Sequence, residues 1–239
     1  EEELGATLFV RQPRGVEVSD EARLLYPQAR RMVAESEALS RMFRGRENRA
    51  PLTLGIEGDI AASHIEAFVR MAHQALPNLL LTLEEGCHGD GRLAVEEMCC
   101  EDELFLPLWE ESYVMALPLD HPMANAQTGW APIEDWITCP QHPSHQRLMA
   151  LYGRSPEAVA GHAGSLQQAL HMVAAGVGVA MLPQSLVSGH ERIVVRALHL
   201  PAPTRRVGLC YAAQALELPT MRGLHEYFQV NRPVAIEAA

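Results

Sequence analysis

From residue 51 onward, segments with a strand pattern alternate with segments with a helix pattern, and this alternation restricts the fold more than any other feature. "PLTLGI" (51–56) and "NLLLTLEEG" (78–86) are typical of buried strands, and "AASHIEAFVRMAHQA" (61–75) between them is amphipathic with a helical period. Alternating strand and helix units favour a parallel sheet with helices on both faces. We therefore predict an α/β fold.

The alternation continues towards the C-terminal end, and 239 residues, 48 % of them hydrophobic, suffice for the core of one or two domains. Gly176 suits the end of a helix and Pro183 the end of a strand. We predict further helices over "GRLAVEEMCC" (91–100), "SHQRLMALYG", "SLQQALHMVAAG" and "LPTMRGLHEYFQV", and strands over "SYVMALP", "WITCP", "VGVAMLP" and "RRVGLCYA".

Residues 8–18 have the pattern of a short hairpin. In "LFVRQPRGVEV", two apolar, strand-prone pieces are separated by "QPRG", in which proline presets a turn and glycine accepts a positive φ. The predicted hairpin holds Arg11 and Arg14 at its tip.

A long amphipathic helix is predicted to begin after Ser19, which is a good N-cap. Apolar positions then recur at alternating spacings of three and four, the pattern of a coiled-coil seam. A lone helix cannot bury this seam, which predicts a partner helix in a second copy; an ordinary surface helix packed on its own domain is the alternative. We expect Pro27 to bend the helix and "RGRENRAP" (44–51) to end it as a linker. The seam consists of Ala22, Leu25, Ala29, Met32, Ser36, Leu39 and Phe43.

The formal charge of −11 is unevenly distributed along the chain. Residues 1–50 contain nine arginines and nine acidic residues, so residues 51–239 carry the whole deficit. An acidic surface repels a phosphate backbone. Any contact with nucleic acid is therefore expected through the first part of the chain or through a segment outside this sequence.

Several classes of protein are disfavoured by what the sequence lacks. No run of eighteen apolar residues could span a membrane, and "EEELGATLF" lacks the features of a signal peptide, which predicts a cytoplasmic protein without a membrane partner. No nucleophile elbow, phosphate-binding loop, dinucleotide fingerprint or zinc-protease motif is present, so no enzymatic activity is predicted. The five cysteines are odd in number and lack metal-ligand spacing, and we predict reduced thiols.

Four segments match the pattern of a known family in the family's own order. They are "LGATLFVRQPRGVEVSDEARLLYPQARRMVAESEAL", "ALPNLLLTLEEG", "VMALPLDHPMA" and "SLQQALHMVAAGVGVAMLP". The first resembles the end of the winged helix-turn-helix and the linker helix of LysR-type transcriptional regulators, and the others resemble their effector-binding domain. The resemblance covers nearly the whole chain.

The resemblance implies a linker helix followed by an effector-binding domain with two Rossmann-like lobes of periplasmic-binding-protein type. The family's recognition helix is not in this sequence, so this chain alone is expected to bind DNA weakly. The expected ranges are 1–18 for the wing, 19–46 for the linker and dimerisation helix, 51–239 for the effector-binding domain, about 51–116 and 207–232 for lobe I, and about 117–206 for lobe II.

The function implied by the resemblance is regulation of transcription by a homodimer or homotetramer. The regulator binds promoter DNA, and its assembly changes when a small-molecule effector enters the cleft between the lobes. Arg11 and Arg14 are expected to contact phosphate or the minor groove. Dimerisation is expected through Ala22, Leu25, Ala29, Met32, Leu39 and Phe43.

The segment "EEMCCEDELFLPL" departs from the family pattern because it is short. In the family, the second helix is followed by a strand of the "D-L-A-I" type and a loop. Loss of a central strand would leave backbone groups unpaired inside the sheet, which folded proteins avoid. We therefore interpret the departure as a segment missing near Cys100.

Ligands of open α/β sheets bind at the carboxyl ends of strands and at helix N-termini. This rule selects loops on both expected lobes. The candidate effector-binding residues are Gly58, Asp59, Ile60, His88, Cys139, His142, Ser144 and His162.

Asp59 is expected to determine the class of the effector. In many family members, Ser or Thr stands there and binds an anionic effector. A carboxylate repels another carboxylate, which disfavours an aromatic acid and favours a cationic or amino-bearing effector or a histidine that pairs with Asp59. Asp59 could also cap the helix that begins near residue 60, and both roles are compatible.

Loop histidines and cysteines suggest two alternatives. His88, His142, His145 and His162 could meet Asp59 or Cys139 at a metal, but they form no local ligand pair, and neither a metal site nor a cofactor is predicted.

Peroxide-sensing members of the family place a reactive cysteine where this chain has Ser144, and Cys139 lacks an obvious partner. A thiol-based redox-sensing regulator, with Cys99 and Cys100 as the better candidates, is the alternative function. A non-regulatory cytoplasmic small-molecule-binding protein is the second alternative function, although the helix with the predicted coiled-coil seam would have no role in it.

Overall fold

The structure, a computed structural model, describes residues 5–12, 15–43, 49–124, 133, 135–152, 159–196 and 203–231. The chain divides into two compact units, Glu1–Asn48 and Arg49–Ala239. Among the described residues, no helix is long and apolar enough to cross a membrane.

The first unit contains the predicted hairpin and helix. Strands β1 (Phe9–Gln12) and β2 (Gly15–Val18) pair antiparallel, and helix α1 (Asp20–Phe43) follows. Ser19 caps α1, because its Oγ accepts a hydrogen bond from the Ala22 backbone N–H at 3.1 Å. The predicted cap is therefore confirmed.

The predicted seam on α1 is described only in part. Ala22 is buried, Leu25 and Ala29 are half-buried, and Met32 is exposed. The side chains of Leu39 and Phe43, and the whole of Arg14, lie outside the described residues. Helix α1 continues through Pro27.

The second unit is built on a mixed sheet, in which nine strands are described. Their spatial order is β4-β3-β5-β11-β6-β9-β7-β8, and β10 pairs with β6. The strands are β3 (Ala50–Ile56), β4 (Leu79–Glu85), β5 (Gly91–Val95), β6 (Glu103–Pro118), β7 (Trp136–Thr138), β8 (Val159–His162), β9 (Val179–Pro183), β10 (Ile193–Arg196) and β11 (Thr204–Ala212). The helices are α2 (Ala62–Ala75), α3 (His145–Tyr152), α4 (Leu166–Ala174), α5 (Gln184–Val187) and α6 (Pro219–Val230), with 3-10 turns at Glu96–Met98 and Ala213–Glu217.

Two hydrophobic cores define two lobes, and β6 contributes to both. The first core includes Leu106 and Trp109 of β6, and the second includes Tyr113 and Leu117. Along β6 the change from one core to the other falls between Trp109 and Tyr113, a few residues before the boundary expected near residue 116. Strand β11 pairs antiparallel with β6, so these two strands form the crossing between the lobes.

The strands outside the crossing are parallel, as the alternation predicts. In the first lobe, β4 and β5 run parallel to β3 on either side, and in the second, β8 and β9 run parallel to β7. The antiparallel crossing strands make the sheet mixed. Strands β8 and β10 and the short helix α5 were not predicted.

The prediction of a helix over residues 91–100 is wrong. Gly91–Val95 form strand β5, and only Glu96–Met98 form a single 3-10 turn. All five residues of β5 are buried. A segment buried on both faces loses the alternation that distinguishes a strand from a helix. The strand that we interpreted as missing near Cys100 is therefore present.

The short connection lies instead between β4 and β5. Five residues, 86–90, carry the chain from one side of β3 to the other, whereas such crossovers usually take a dozen residues or more. The connection passes directly over Gly55, where a Cβ would lie 2.7 Å from the His88 carbonyl oxygen. Asp90 fixes it, because the Asp90 carboxylate accepts a hydrogen bond from the Thr53 N–H at 2.8 Å.

Candidate functional site

Asp59, in the loop after β3, joins the two lobes through its carboxylate. The side chain is buried, and its Oδ1 accepts a hydrogen bond from the Gln167 backbone N–H, at the start of α4, at 3.0 Å. Its Oδ2 lies 3.3 Å from Nε2 of His142, which also belongs to the second lobe. One carboxylate of the first lobe therefore bridges two segments of the second.

The N-terminus of α4 is a favourable place for this negative charge. Ser165 caps the helix through a 3.1 Å hydrogen bond from the Gln168 N–H, and Asp59 accepts from Gln167 beside it. Burial opposes the charge of Asp59, but attraction to His142 and hydrogen bonds from the backbone N–H groups of residues 166 and 167 outweigh it. The pKa of the Asp59 carboxyl is therefore lowered from its usual value.

His142 extends the bridge to Ser144 at the head of α3. The distance from His142 Nδ1 to Ser144 Oγ is 2.7 Å, and the Ser144 backbone N–H donates to the same nitrogen at 3.1 Å. Because Nδ1 accepts, the arrangement fits a ring that carries its proton on Nε2, towards Asp59. At 3.3 Å, without hydrogen-bond geometry at Nε2, this last contact is mainly electrostatic. Asp59, His142 and Ser144 form one buried polar chain, here called the interlobe chain.

Arg205 of β11 anchors the interlobe chain to the crossing strands. Its buried guanidinium donates to the Asp59 backbone carbonyl at 3.0 Å and pairs with Glu111 of β6 at 2.8 Å. Glu111 in turn accepts from the Ser185 backbone N–H at 2.9 Å. Sequence reasoning missed Arg205, since it lies at the amino end of β11, whereas the rule that selected the candidates considers the carboxyl ends of strands.

Several buried polar atoms near the crossing have no hydrogen-bond partner among the described residues. His64 stacks on Trp109 with ring centroids 4.7 Å apart, and burial lowers the pKa of its imidazole. Groups of this kind are paired in most folded proteins. Together they offer more donors than acceptors. The atoms are Arg205 Nη1, Trp109 Nε1, His64 Nδ1 and Ser185 Oγ.

The other candidate effector residues are spread more widely. Ile60 packs in the first core, Gly58 is exposed, and His88 is exposed in the 86–90 connection. His162 Nδ1 lies 2.9 Å from Thr138 Oγ1. Of the eight candidates, the structure joins Asp59, His142 and Ser144 directly.

Cys139 lies near the interlobe chain but is not poised for redox chemistry. Its thiol points to the Ser165 carbonyl at 3.5 Å. Burial, with a smaller contribution from the Asp59 charge, raises the pKa of this thiol to about 12. The reactive form of cysteine is the thiolate, which is disfavoured here.

A second cluster lies on the first lobe, where Cys99 and Cys210 form a disulfide with 6.2 Å between their Cα atoms. The prediction of five reduced cysteines is therefore wrong. Cys210 lies on β11 opposite Arg92 of β5, and the 3-10 turn that follows β5 places Cys99 beside Cys210. Cys87 and Cys100 are free and exposed, and Cys139 is free and buried.

Arg92 of β5 organises this cluster. The buried guanidinium donates to both carboxylate oxygens of Glu103, pairs with Glu57, and donates to the Met98 carbonyl at 2.7 Å. The hydrogen bond from Arg92 lowers the pKa of Glu103 against the opposing effect of burial. Nη2 of Arg92 also lies 3.9 Å from the Cys100 Sγ. Among the described residues, ligand atoms of Cys99, Cys210 and Glu103 lie within 4.8 Å of one another, but the disulfide uses both sulfurs.

A family profile described as "LysR substrate binding domain" matches residues 101–231. A hydrogen peroxide-inducible genes activator of Dickeya chrysanthemi is 30 % identical over 234 alignment positions, and the alignment covers 88 % of this chain and 76 % of that protein. The DNA-binding transcriptional dual regulator OxyR of Escherichia coli K12 is 28 % identical over 235 residues, with the same coverage.

Solved structures show the same fold. Full-length OxyR of Pseudomonas aeruginosa, carrying a cysteine-to-aspartate substitution, superposes with a TM-score of 0.67 at 21 % identity, covering 96 % of this chain and 84 % of that one. A LysR family regulator from the same organism gives 0.62 at 16 % identity, covering 87 % and 81 %.

One alignment also bears on the short connection. A probable hydrogen peroxide-inducible genes activator of Streptomyces viridosporus is 24 % identical, and its alignment covers 99 % of this chain and 84 % of that protein. This alignment runs over 268 positions, although this chain has 239 residues. That relative therefore contains positions that are absent here, as the 86–90 connection leads us to expect.

Proposed function

This chain belongs to the LysR family of transcriptional regulators, and we propose that a small-molecule effector controls it by binding between the lobes at the interlobe chain. The observation that carries the proposal is the buried Asp59 carboxylate of the first lobe, which contacts the start of α4 and His142 of the second lobe. A ligand that changes these contacts changes the relation between the lobes, provided that it binds the two arrangements unequally.

The contacts of Asp59 also restrict the effector. A helix N-terminus and a histidine would suit a ligand carboxylate, but Asp59 already occupies both. Since both of its oxygens have partners, Asp59 attracts an amino group less strongly than the sequence suggested. Arg205 Nη1 and Trp109 Nε1 have no acceptor among the described residues, which favours a ligand with acceptor atoms. We propose a small, uncharged, oxygen-bearing effector.

The remaining parts of the proposal rest on family membership. The regulator acts in the cytoplasm as a homodimer or homotetramer on promoter DNA. Arg11 and Arg14 of the hairpin contact DNA, and the α1 seam from Ala22 to Phe43 joins two subunits. A non-regulatory binding protein is disfavoured, because the relatives are regulators.

Substitution of Asp59 by serine tests this proposal. We expect Asp59→Ser to free the start of α4 and His142 for a carboxylate, so that benzoate raises the melting temperature of the variant but not of the wild type. Glu66→Ser, at an exposed position of α2, is the matched control. Equal stabilisation of wild type and Asp59→Ser by benzoate would contradict the role of Asp59.

A thiol-based redox-sensing regulator is the second candidate function. It is supported by the Cys99–Cys210 disulfide and by relatives whose names refer to hydrogen peroxide. Ser144 stands where peroxide-sensing members of the family place their reactive cysteine. Redox sensing in this chain would therefore need other cysteines.

A further inference from the structure

The Cys99–Cys210 disulfide lies where the chain leaves the first lobe and returns to it. Cys99 precedes β6, which leads into the second lobe, and Cys210 lies on β11, which leads back. The two cysteines are 111 residues apart, and the whole second core lies between them. The bond therefore closes a covalent loop around the second lobe.

The two cysteines differ in exposure. Cys210 is fully buried between Arg92 of β5 and Phe105 of β6, whereas Cys99 is half-buried at the end of a turn. Exposed Cys100 is the next residue in the chain. A thiol from solution can thus approach the sulfur of Cys99, with the sulfur of Cys210 as the leaving group.

The turn is held in place independently of the disulfide. Arg92 donates to the Met98 carbonyl, and the Cys100 backbone N–H donates to Glu103 at 2.8 Å. The ion pair between Arg92 and Glu103 fixes the start of β6 against β5. None of these contacts uses the sulfur of Cys99 or Cys210, and we expect them to remain after reduction and to keep the two cysteines close enough to pair again.

We propose that Cys99 and Cys210 form a reversible thiol–disulfide exchange site for low-molecular-weight thiols of the glutathione class. This inference names the site and the reactant of the second function proposed above. It does not involve Ser144 or Cys139. In a cytoplasmic protein, a disulfide is more often transient than structural.

The exchange proceeds in two steps. A thiolate of glutathione attacks Cys99 Sγ, the bond to Cys210 breaks, and its electron pair leaves with Cys210 Sγ as a thiolate. A second glutathione thiolate attacks the glutathione sulfur of the mixed disulfide, which releases Cys99 as a thiolate and forms glutathione disulfide. Each protein thiolate takes a proton from solvent. Oxidation by glutathione disulfide reverses both steps.

The test is an equilibration of the folded full chain in buffers of varied ratio of glutathione to glutathione disulfide, followed by acid quenching, alkylation and peptide mass spectrometry. The measured quantity is the fraction of the peptide that links Cys99 to Cys210. We expect nearly all of the peptide to be linked in the most oxidising buffer and nearly none in the most reducing one. The same titration is expected for Cys87→Ser, which removes an exposed free cysteine, and for Cys100→Ser, which excludes Cys100 as the linked residue.

Three results would overturn the exchange site. They are a linked fraction that stays constant in the folded protein, a link formed by another cysteine, and loss of the native circular dichroism spectrum on reduction. In Cys210→Ser, we expect glutathione to accumulate on Cys99. Absence of that adduct under oxidising conditions would also contradict the proposal.

The function is tested separately from the site. Promoter-DNA affinity of the full-length regulator is measured in its oxidised and reduced forms, with Cys210→Ser as the variant that cannot form the Cys99–Cys210 bond. A several-fold difference in affinity is expected for the wild type. A titrating link with equal affinities would retain the exchange site and overturn the redox-sensing function.

Discussion

Two links hold distant parts of the second unit together, and they differ in chemistry. At the interlobe chain, Asp59 joins the lobes through hydrogen bonds and charge, and Arg205 anchors it to the crossing strands. At the other link, a covalent bond joins Cys99, just before β6, to Cys210, near the end of β11, on the first-lobe side of the crossing. Ligand binding or protonation can change the contacts of a polar link, whereas thiols can reduce a disulfide. One domain thus contains two possible inputs.

Removing the anchor of the polar link is expected to have the largest effect. Arg205→Met leaves Glu111 as an uncompensated buried charge, and we expect the free energy of unfolding to fall by about 3–5 kcal/mol. Urea denaturation measures the change. Arg206→Met, which removes an arginine with a half-exposed side chain, is the matched control and should cost under about 1 kcal/mol. Similar losses in both variants would contradict the anchoring role.

Opening the covalent link should have a smaller effect. Because the disulfide closes a loop of more than one hundred residues, Cys210→Ser is expected to lower the free energy of unfolding by about 2–4 kcal/mol. Denaturation of the oxidised wild type, the reduced wild type and the variant gives the comparison. Cys87→Ser should leave stability unchanged. If reduction has no effect, the bond does not constrain the chain.

The charge of the polar link can be tested by pH. Asp59→Asn keeps an oxygen for the Gln167 N–H but loses the charge, and we expect a loss of about 1–2 kcal/mol at pH 7. The folded-state pKa of Asp59 lies below its unfolded value near 3.9, so this contribution is complete above that value and disappears as pH falls through the lowered pKa. Unfolding free energies of both proteins between neutral and acid pH measure it. A difference that persists in acid would contradict the assignment.

Ser144, at the end of the interlobe chain, is expected to contribute least to the free energy of unfolding. Ser144→Ala removes the 2.7 Å hydrogen bond to His142 but keeps the backbone N–H that donates to the same nitrogen. We expect a loss of about 1 kcal/mol. Ser185→Ala, whose hydroxyl has no partner among the described residues, should cost less. Thermal unfolding of the two variants measures this difference, and an equal loss of stability in both would contradict the role of the Ser144 hydroxyl.

The sequence predicts the polar link better than the covalent one, for physical reasons. Asp59 and His142 follow strands, and the carboxyl ends of parallel strands share an edge. Strand β11 is an apolar segment of recognisable length, but nothing local shows that Arg205 within it faces Asp59. The pairing of Cys99 with Cys210 depends on the register of β5 and β11 and on the turn after β5, and the two cysteines are 111 residues apart in the chain.

The same limit explains the error at residues 91–100. Strand β5 is covered on both faces, so its sequence has no alternation. The sequence indicates that the chain is shorter than the family pattern, but the predicted position near Cys100 is wrong, since the short connection is 86–90. Gly55 is the signal that could have found it, since only a residue without a side chain allows the 86–90 connection to cross β3.

Hydrogen exchange at the Gln167 backbone amide tests most directly whether Asp59 bridges the lobes. This amide donates to Asp59, whereas the next one, Gln168, donates to Ser165 within its own lobe. In Asp59→Ala, we expect the Gln167 amide to exchange roughly tenfold faster, the factor for a loss of about 1.4 kcal/mol, while Gln168 keeps its protection. Unchanged protection at Gln167 would contradict the bridge.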